Sequence, residues 1–342
     1  MRVTVLMGGT SAERDVSLAT GLRVSEALRS RGHEVTVIDT VRGALSDQEE
    51  RALLAQGTVK AAPPNPESLA RMARAALPAT VRVIPQPGDT DVVFLALHGG
   101  NGEDGTIQAI LDLAGVPYTG SGHLASALAM DKDLSKHLFR AEGVQTADWI
   151  MAPREPGRDF LDRAVRELGL PLIVKPSKQG STVGLSMVKE ASALGPAIAE
   201  AFRHDDEVMV ERFVAGRELT VGILGGEALP VGEIIPEHEI YDYECKYTAG
   251  MAEEVFPARI SQRECDAVQE QARRAFAALK LRGCARIDFR MTDSGELFCL
   301  EANTLPGMTA TSLIPQAAAA AGMDFPELCD RIVRLAVAEQ GR

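Results

Sequence analysis

Basic charge is in short supply in this sequence. Lys and Arg number 36 against 48 Asp and Glu, a net charge of −12. That balance disfavours a nucleic-acid-binding surface, because phosphate contact needs clustered Lys and Arg; local basic sites for a small phosphorylated ligand stay open. Cysteine is sparse too: five residues, scattered and mostly in apolar surroundings such as Leu297-Phe298-Cys299-Leu300. This excludes a disulfide framework or zinc site and points to reduced, buried thiols in a cytoplasmic protein. No apolar run is long enough to span a membrane, and Met1 leads at once into the strand-like Val3–Met7, leaving no room for a signal peptide. Neither a GxGxxG fingerprint after the first strand nor a Gly-x4-Gly-Lys-Ser/Thr loop occurs, so dinucleotide binding and a P-loop are disfavoured. Internal repeats are absent.

What is present is an ordinary globular composition, 45% hydrophobic and 25% charged, in a chain of 342 residues that exceeds one core. Two or three domains are expected. Val3–Met7, Glu34–Asp39 and Asp91–Leu97 read as buried-type strands, with a helix over Asp15–Arg31 between the first two. This βαβ rhythm predicts a parallel sheet with ligands at the C-terminal ends of its strands. Residues 42–80 look like a peripheral helical excursion. The connector Pro117-Tyr118-Thr119-Gly120-Ser121-Gly122 sets a first boundary, giving units at 1–122, 123–212 and 213–342. The second has a helical segment over Leu124–Arg140 and strands at Leu172–Lys175, Ser181–Val188 and Glu207–Arg212; the third is mainly strands.

Chemistry concentrates at Cys284–Thr309. Two apolar-rich runs flank Thr292-Asp293-Ser294-Gly295, a hairpin signal. Arg286 and Asp288 share one face of the first strand, and Glu301 and Asn303 one face of the second. With a two-residue Ser294-Gly295 turn Asp288 falls opposite Glu301; a three-residue Asp293-Ser294-Gly295 turn puts them out of register. Facing carboxylates repel, and a hard cation such as Mg²⁺ reverses that sign. A solvated sheet face is the bland alternative.

Further along, Lys175 ends a strand before a Ser/Gly loop, a setting that suits phosphate oxygens or a plain surface loop. Glu211–Glu218 alternates charged and apolar residues, as a hinge over an apolar slot does, and equally as an ordinary strand-turn does. Lys132 follows Asp131, a helix-cap residue. Glu13 and His98 lie just past strand ends of the first unit, within reach of its cleft or in structural roles. Residues 241–247 hold three of the four tyrosines in a polar loop, as a lid would.

Together GGTSAERDVSL (8–18), HGGNGEDGTIQ (98–108), PYTGSG (117–122), DK (131–132), KPSKQGSTVG (175–184), ERFVAGRE (211–218), YDYECKY (241–247), ARIDF (285–289) and EANTLPGMTATSL (301–313) resemble the D-alanine–D-alanine ligases of the ATP-grasp superfamily. The resemblance implies a mixed α/β fold of three domains, the first Rossmann-like, with ATP between the second and third. It implies ligation of two D-alanines through an acyl phosphate, for peptidoglycan precursors. Lys132 and Lys175 would contact phosphates. Glu211, Val214 and Phe213 would hold adenine and Glu218 the ribose. Asp288, Glu301 and Asn303 would ligate two Mg²⁺ ions, with Mn²⁺ as a substitute. Glu13 would take the first substrate's ammonium with His98 nearby, and Ser181 and Tyr247 would link to Glu13 across a closed lid. Arg286 and Gly307 would stabilise the oxyanion, Ser312 and Leu313 would receive the second carboxylate, and Lys246 would approach the transferred phosphate. A cytoplasmic homodimer, with no nucleic-acid or membrane partner, is implied as well. Gln179 and Leu305 depart from the family's usual Glu and Ser, which predicts altered loop packing. Tyr247 favours an amine over D-lactate as second substrate.

Overall fold

β1 (Arg2–Met7) is buried along all but its first residue, as an apolar run covered on both faces must be. In the computed structural model, which describes residues 1–56, 83–241, 245–246, 248 and 250–340, β1 is flanked in parallel by β2 (Glu34–Asp39) and β4 (Val92–Leu95). The short β3 (Gly43–Ala44) adds antiparallel to β2, giving the order β3-β2-β1-β4. Helix α1 (Arg14–Ser30) joins the first two strands, so the expected βαβ unit is present. Helix α2 (Asp47–Gln56) opens the excursion expected over 42–80; residues 57–82 lie outside the described residues. Helix α3 (Thr106–Ala114) follows β4.

A second sheet, ordered β5-β8-β6-β7, is antiparallel throughout: β5 (Trp149–Ala152), β8 (Val208–Arg212), β6 (Leu172–Pro176) and β7 (Ser186–Val188). Helices α6 (Arg158–Leu168) and α7 (Leu194–Ala201) cover it through Ala164, Leu168, Leu194 and Ile198. The strand expected over Ser181–Val188 is only its last three residues. Ser181, Thr182 and Gly184 have positive φ (50°, 58° and 72°), which breaks the extended run.

The third sheet runs β12-β11-β9-β13-β14 with β10 on β9. Its strands are β9 (Arg217–Leu224), β10 (Glu227–Ala228), β11 (Gly232–Pro236), β12 (Ala252–Val255), β13 (Cys284–Met291) and β14 (Leu297–Asn303). Val221, Ile223, Ala285, Ile287 and Phe289 bury one face beneath α8 (Gln262–Ala278) and two earlier helices, α4 (His123–Met130) and α5 (Lys132–Ala141). Those two make up the helical stretch expected over 124–140, the second opening at Asp131 as its capping chemistry predicts. Asp131 between them is extended and accepts from the Leu134 N–H at 3.1 Å, ending one helix and capping the next. Helices α9 (Leu313–Ala320) and α10 (Phe325–Gln340) close the chain. Leu328, Ile332 and Val333 of α10 pack with Val3, Val5 and Phe94, so the C-terminal helix seals the first sheet.

Candidate active site

The hairpin turn is the three-residue one. The Thr292 N–H donates to the Glu296 carbonyl at 3.0 Å and the Gly295 N–H to the Thr292 carbonyl at 2.9 Å, with Gly295 at φ +83°. That turn sets Met291, Arg290 and Phe289 opposite Leu297, Phe298 and Cys299. Continued regularly, it would face Asp288 with Leu300 and turn Glu301 towards the core. A β-bulge between Asp288 and Phe289 intervenes, so Leu300 is extra and Asp288 pairs with Glu301 after all. Cys299 and Ala302 stay in the core, while Leu300 and Glu301 face a cleft.

Two facing carboxylates need cations, and several stand close. The Arg286 Nη2 is 2.9 Å from the Asp288 Oδ2, and the Lys132 Nζ is 3.2 Å from the Glu301 Oε2. Asp288 also accepts from the Thr220 hydroxyl at 2.7 Å and the Asn303 amide at 2.9 Å. Burial would raise the Glu301 pKa, yet Lys132, Lys246 and Lys175 hold it at about 2. Burial likewise opposes the Arg286 charge, but Asp288 and Glu301 more than offset it and keep the guanidinium firmly protonated. Among the described residues no group of three or more His, Cys, Asp or Glu is placed to hold a metal alone. Two carboxylates and an amide oxygen are instead the partial, all-oxygen set that suits Mg²⁺ arriving with phosphates.

Glu301 and Asp288 line the larger of two clefts, about 970 Å³, together with Lys132, Lys175, Lys246 and Arg286. Ile173, Leu185, Phe213, Val214 and Leu300 add an apolar lining, and Glu211 and Glu218 line it as well. Glu211 is 3% exposed and receives Lys175 at 2.8 Å on Oε2 and Lys136 on Oε1. Burial alone would raise its pKa; the two ammonium groups bring it to about 2. Glu218 accepts from Arg290 at 3.2 Å, but burial and the nearby Asp288 push its pKa up to about 7. Arg290 also donates to the Val214 carbonyl at 3.0 Å and lies over the Phe213 ring.

The second cleft, about 730 Å³, is lined by Glu13, His98, Glu103, Ser181, Asn303, Gly307, Ser312 and Leu313. The Ser181 hydroxyl donates to Glu13. Leu305 is clamped by both backbone groups: its N–H donates to Glu103 at 3.2 Å and its carbonyl receives the His98 Nδ1 at 2.8 Å. The His98 Nε2 meets the Thr20 hydroxyl at 2.9 Å, and burial lowers the His98 pKa. The ring is therefore neutral, donating from Nδ1 and accepting at Nε2. Glu103 also receives the Gly99 N–H at 2.7 Å; burial and the charge on Glu13 raise its pKa to about 8. The Ser312 hydroxyl receives the Thr309 N–H at 2.9 Å and would lie 2.8 Å from a Cβ at Gly307, so glycine is needed there. Tyr241, Lys246 and Arg286 line both clefts and form their common wall.

Every site residue expected from sequence thus falls on one of two adjoining clefts, except Tyr247, which lies outside the described residues. Four residues were missed: Lys136, Glu103, Thr220 and Arg290. Arg290 continues the Arg286–Asp288 alternation on one strand face, and Lys136 lies one helical turn beyond Lys132, so both left a periodic signal. Gln179, one of the two departures, donates to the His204 carbonyl at 3.1 Å and gives its own carbonyl to Lys132 at 2.7 Å.

Residues 2–121 match the family described as the D-ala D-ala ligase N-terminus, and residues 138–334 the D-ala D-ala ligase C-terminus. The D-alanine–D-alanine ligase of Syntrophotalea carbinolica is 42% identical over 336 residues, covering 97% of this chain and 95% of that protein. Among solved structures, that of the Coxiella burnetii D-alanine–D-alanine ligase aligns with a TM-score of 0.78 at 28% identity, covering 100% of this chain and 96% of that one. The Bacillus anthracis D-alanine–D-alanine ligase complexed with ATP aligns with a TM-score of 0.76 at 31% identity, covering 100% and 99%. With both family halves matched in order over nearly its whole length, the chain belongs to the D-alanine–D-alanine ligase family.

Proposed function

We propose that the protein joins two D-alanines into D-alanyl-D-alanine, with ATP in the larger cleft and both amino acids in the smaller. The observation that carries this reading is the shared wall. Arg286 and Lys246 border both clefts, so a phosphoryl group held in one lies beside a carboxylate held in the other.

Adenine packs on Phe213 in the apolar lining, against Glu211 and the Val214 backbone, and Glu218 takes the ribose hydroxyls. Lys132, Lys175 and Lys246 gather the phosphates, spreading charge that develops on the transferred group. Asp288, Glu301 and Asn303 hold Mg²⁺. When bound, the metal neutralises phosphate oxygens and makes the γ-phosphorus a better electrophile. Glu13, aligned by Ser181, receives the ammonium of the first D-alanine. Its carboxylate attacks the γ-phosphorus and ADP leaves, giving an acyl phosphate.

The second D-alanine sets its carboxylate on the Leu313 N–H and Ser312, at the N-terminus of α9, where the helix dipole favours an anion. Its amine, having lost a proton, attacks the acyl carbon. Arg286 and the Gly307 N–H stabilise the oxyanion, inorganic phosphate leaves, and the peptide bond is formed. His98 and Glu103 act indirectly, by fixing the Leu305 backbone between Asn303 and Gly307. The product is a peptidoglycan precursor, made by a cytoplasmic homodimer; no helix among the described residues is long and apolar enough to cross a membrane.

Incubation with ATP, Mg²⁺ and a panel of D- and L-amino acids tests the reading. Phosphate and D-alanyl-D-alanine should appear in equal amounts, and only with D-alanine present. Turnover with an L-amino acid but not with D-alanine would sink it.

A further inference from the structure

Behind Glu211, which lines the larger cleft, lies a charged group with no surface of its own. Lys136, on α5, is fully buried. Its ammonium donates to the Thr146 hydroxyl at 2.7 Å and to the Glu211 Oε1, and lies 4.9 Å from the ring of Trp149. Thr146 passes the chain on, donating to the Cys299 carbonyl at 2.8 Å. The other Glu211 oxygen receives Lys175 at 2.8 Å.

This is one more cation than charge balance requires. Lys175 alone would neutralise Glu211, and burying a second ammonium is costly unless it is fully hydrogen-bonded. The two lysines together occupy both carboxylate oxygens. An ionised carboxylate has about four lone-pair sites and no proton to give. Each Glu211 oxygen therefore keeps acceptor capacity towards the cleft and offers no donor.

We infer that Lys136 is a specificity-determining positioning residue: by fixing Glu211 as a pure acceptor, it restricts the cleft to purines with an amino group at carbon 6 and turns away 6-oxo purines. This rests on the placement of adenine against Glu211 proposed above. A 6-oxo group there would set two acceptors against each other and leave both without a donor, the arrangement that buried polar sites reject most strongly. Without Lys136, Glu211 keeps one ammonium in a dry setting. The freed Oε1 then has no ammonium on it, so a proton there, donated to a 6-oxo group, costs less than in the parent. The depressed Glu211 pKa, for which Lys136 is the leading cause opposing burial, fits this role.

ATP and inosine triphosphate differ at carbon 6 and so provide the probe. The ratio of kcat/KM for the two nucleotides is measured, with D-alanine saturating, in the full chain and in Lys136→Met, Glu211→Gln and the double variant. Lys136→Met is expected to lower the ATP preference by about tenfold, losing on ATP and gaining on inosine triphosphate. In the Glu211→Gln background, where the amide both donates and accepts, the same change should leave the ratio unmoved. An equal loss on both nucleotides in Lys136→Met assigns Lys136 a supporting role only and overturns the inference. If Glu211→Gln relaxes the ratio while Lys136→Met does not, the Lys136 role fails and the adenine placement stands. If neither moves the ratio, the placement fails as well. Far-ultraviolet circular dichroism and a cooperative melting curve report whether each variant is folded; emission from Trp149 does not, because its ring lies 4.9 Å from the Lys136 ammonium. Should Lys136→Met fail to fold, Thr146→Val takes one acceptor from the ammonium and should shift the ratio the same way, by about threefold; no shift overturns the inference.

Discussion

Asp288 faces Glu301 across the β13–β14 pair only because Leu300 is bulged out of it. The pairing brings two carboxylates together at a point where Lys132 and Arg286 already supply positive charge. A cation delivered with phosphates brings its own counter-charge and takes up the remaining lone pairs of both carboxylates. Asp288→Asn and Glu301→Gln should each raise the Mg²⁺ concentration for half-maximal turnover by about 10–100-fold, as removal of a metal-site partner commonly does. A Mg²⁺ titration at fixed ATP reads this directly. An unchanged midpoint in both variants would remove the pair from the metal site.

The face on which these residues lie was legible, and the means of keeping them there was not. Arg286, Asp288 and Arg290 alternate with Ala285, Ile287 and Phe289, and that period-two pattern is visible in the sequence alone. Turn length left the register open, and Leu300 looks like any apolar strand residue. Whether it bulges depends on the pairing of both flanks. The strand expected over Ser181–Val188 failed for a related reason. Thr182 and Val183 carry β propensity, but Ser181 and Thr182 adopt positive φ, and Ser181 bonds to Glu13, 168 residues away. Contacts of that range leave no local trace. The Glu103–Leu305 bond, spanning 202 residues, is another.

Arg286 touches Asp288, and it also stands on the wall between the clefts. If its chief role is to stabilise the oxyanion, Arg286→Ala should lower kcat by about 10²–10³-fold at saturating Mg²⁺. The KM for ATP should stay within about threefold of the parent, a change below 1 kcal/mol. Steady-state kinetics separate the two effects. Collapse of ATP binding with kcat intact would show that Arg286 serves the metal pair instead.

Gly307 needs its hydrogen. A Cβ there meets the Ser312 Oγ at 2.8 Å, and that hydroxyl is fixed by Thr309 through its N–H at 2.9 Å and its Oγ1 at 2.8 Å. Gly307→Ala must turn Ser312 away and break those bonds. The KM for the second D-alanine should rise about tenfold, the value of one good hydrogen bond, while the KM for ATP stays put. An equal rise for both substrates would point to general disorder of the loop.

Four carboxylates make the stability of the ligand-free protein depend on pH in two opposite senses. Glu211 and Glu301 have folded-state pKa values of about 2 against an ordinary 4.5. Their stabilising contribution is complete above 4.5 and lost as pH falls towards 2, because the unfolded chain binds protons first. Glu218 and Glu103 are shifted the other way, to about 7 and about 8. Between 4.5 and those values the folded protein holds protons that the unfolded chain has released, so stability falls as pH rises. The thermal midpoint should therefore be highest at mildly acidic pH and decline on both sides. Glu103→Gln removes the carboxylate raised to about 8, so it should flatten that arm between pH 7 and 8 while leaving the acid arm unchanged. Melting curves from pH 3 to 9 decide the matter. An alkaline arm equally steep in Glu103→Gln would mean that Glu103 is already ionised in the folded protein.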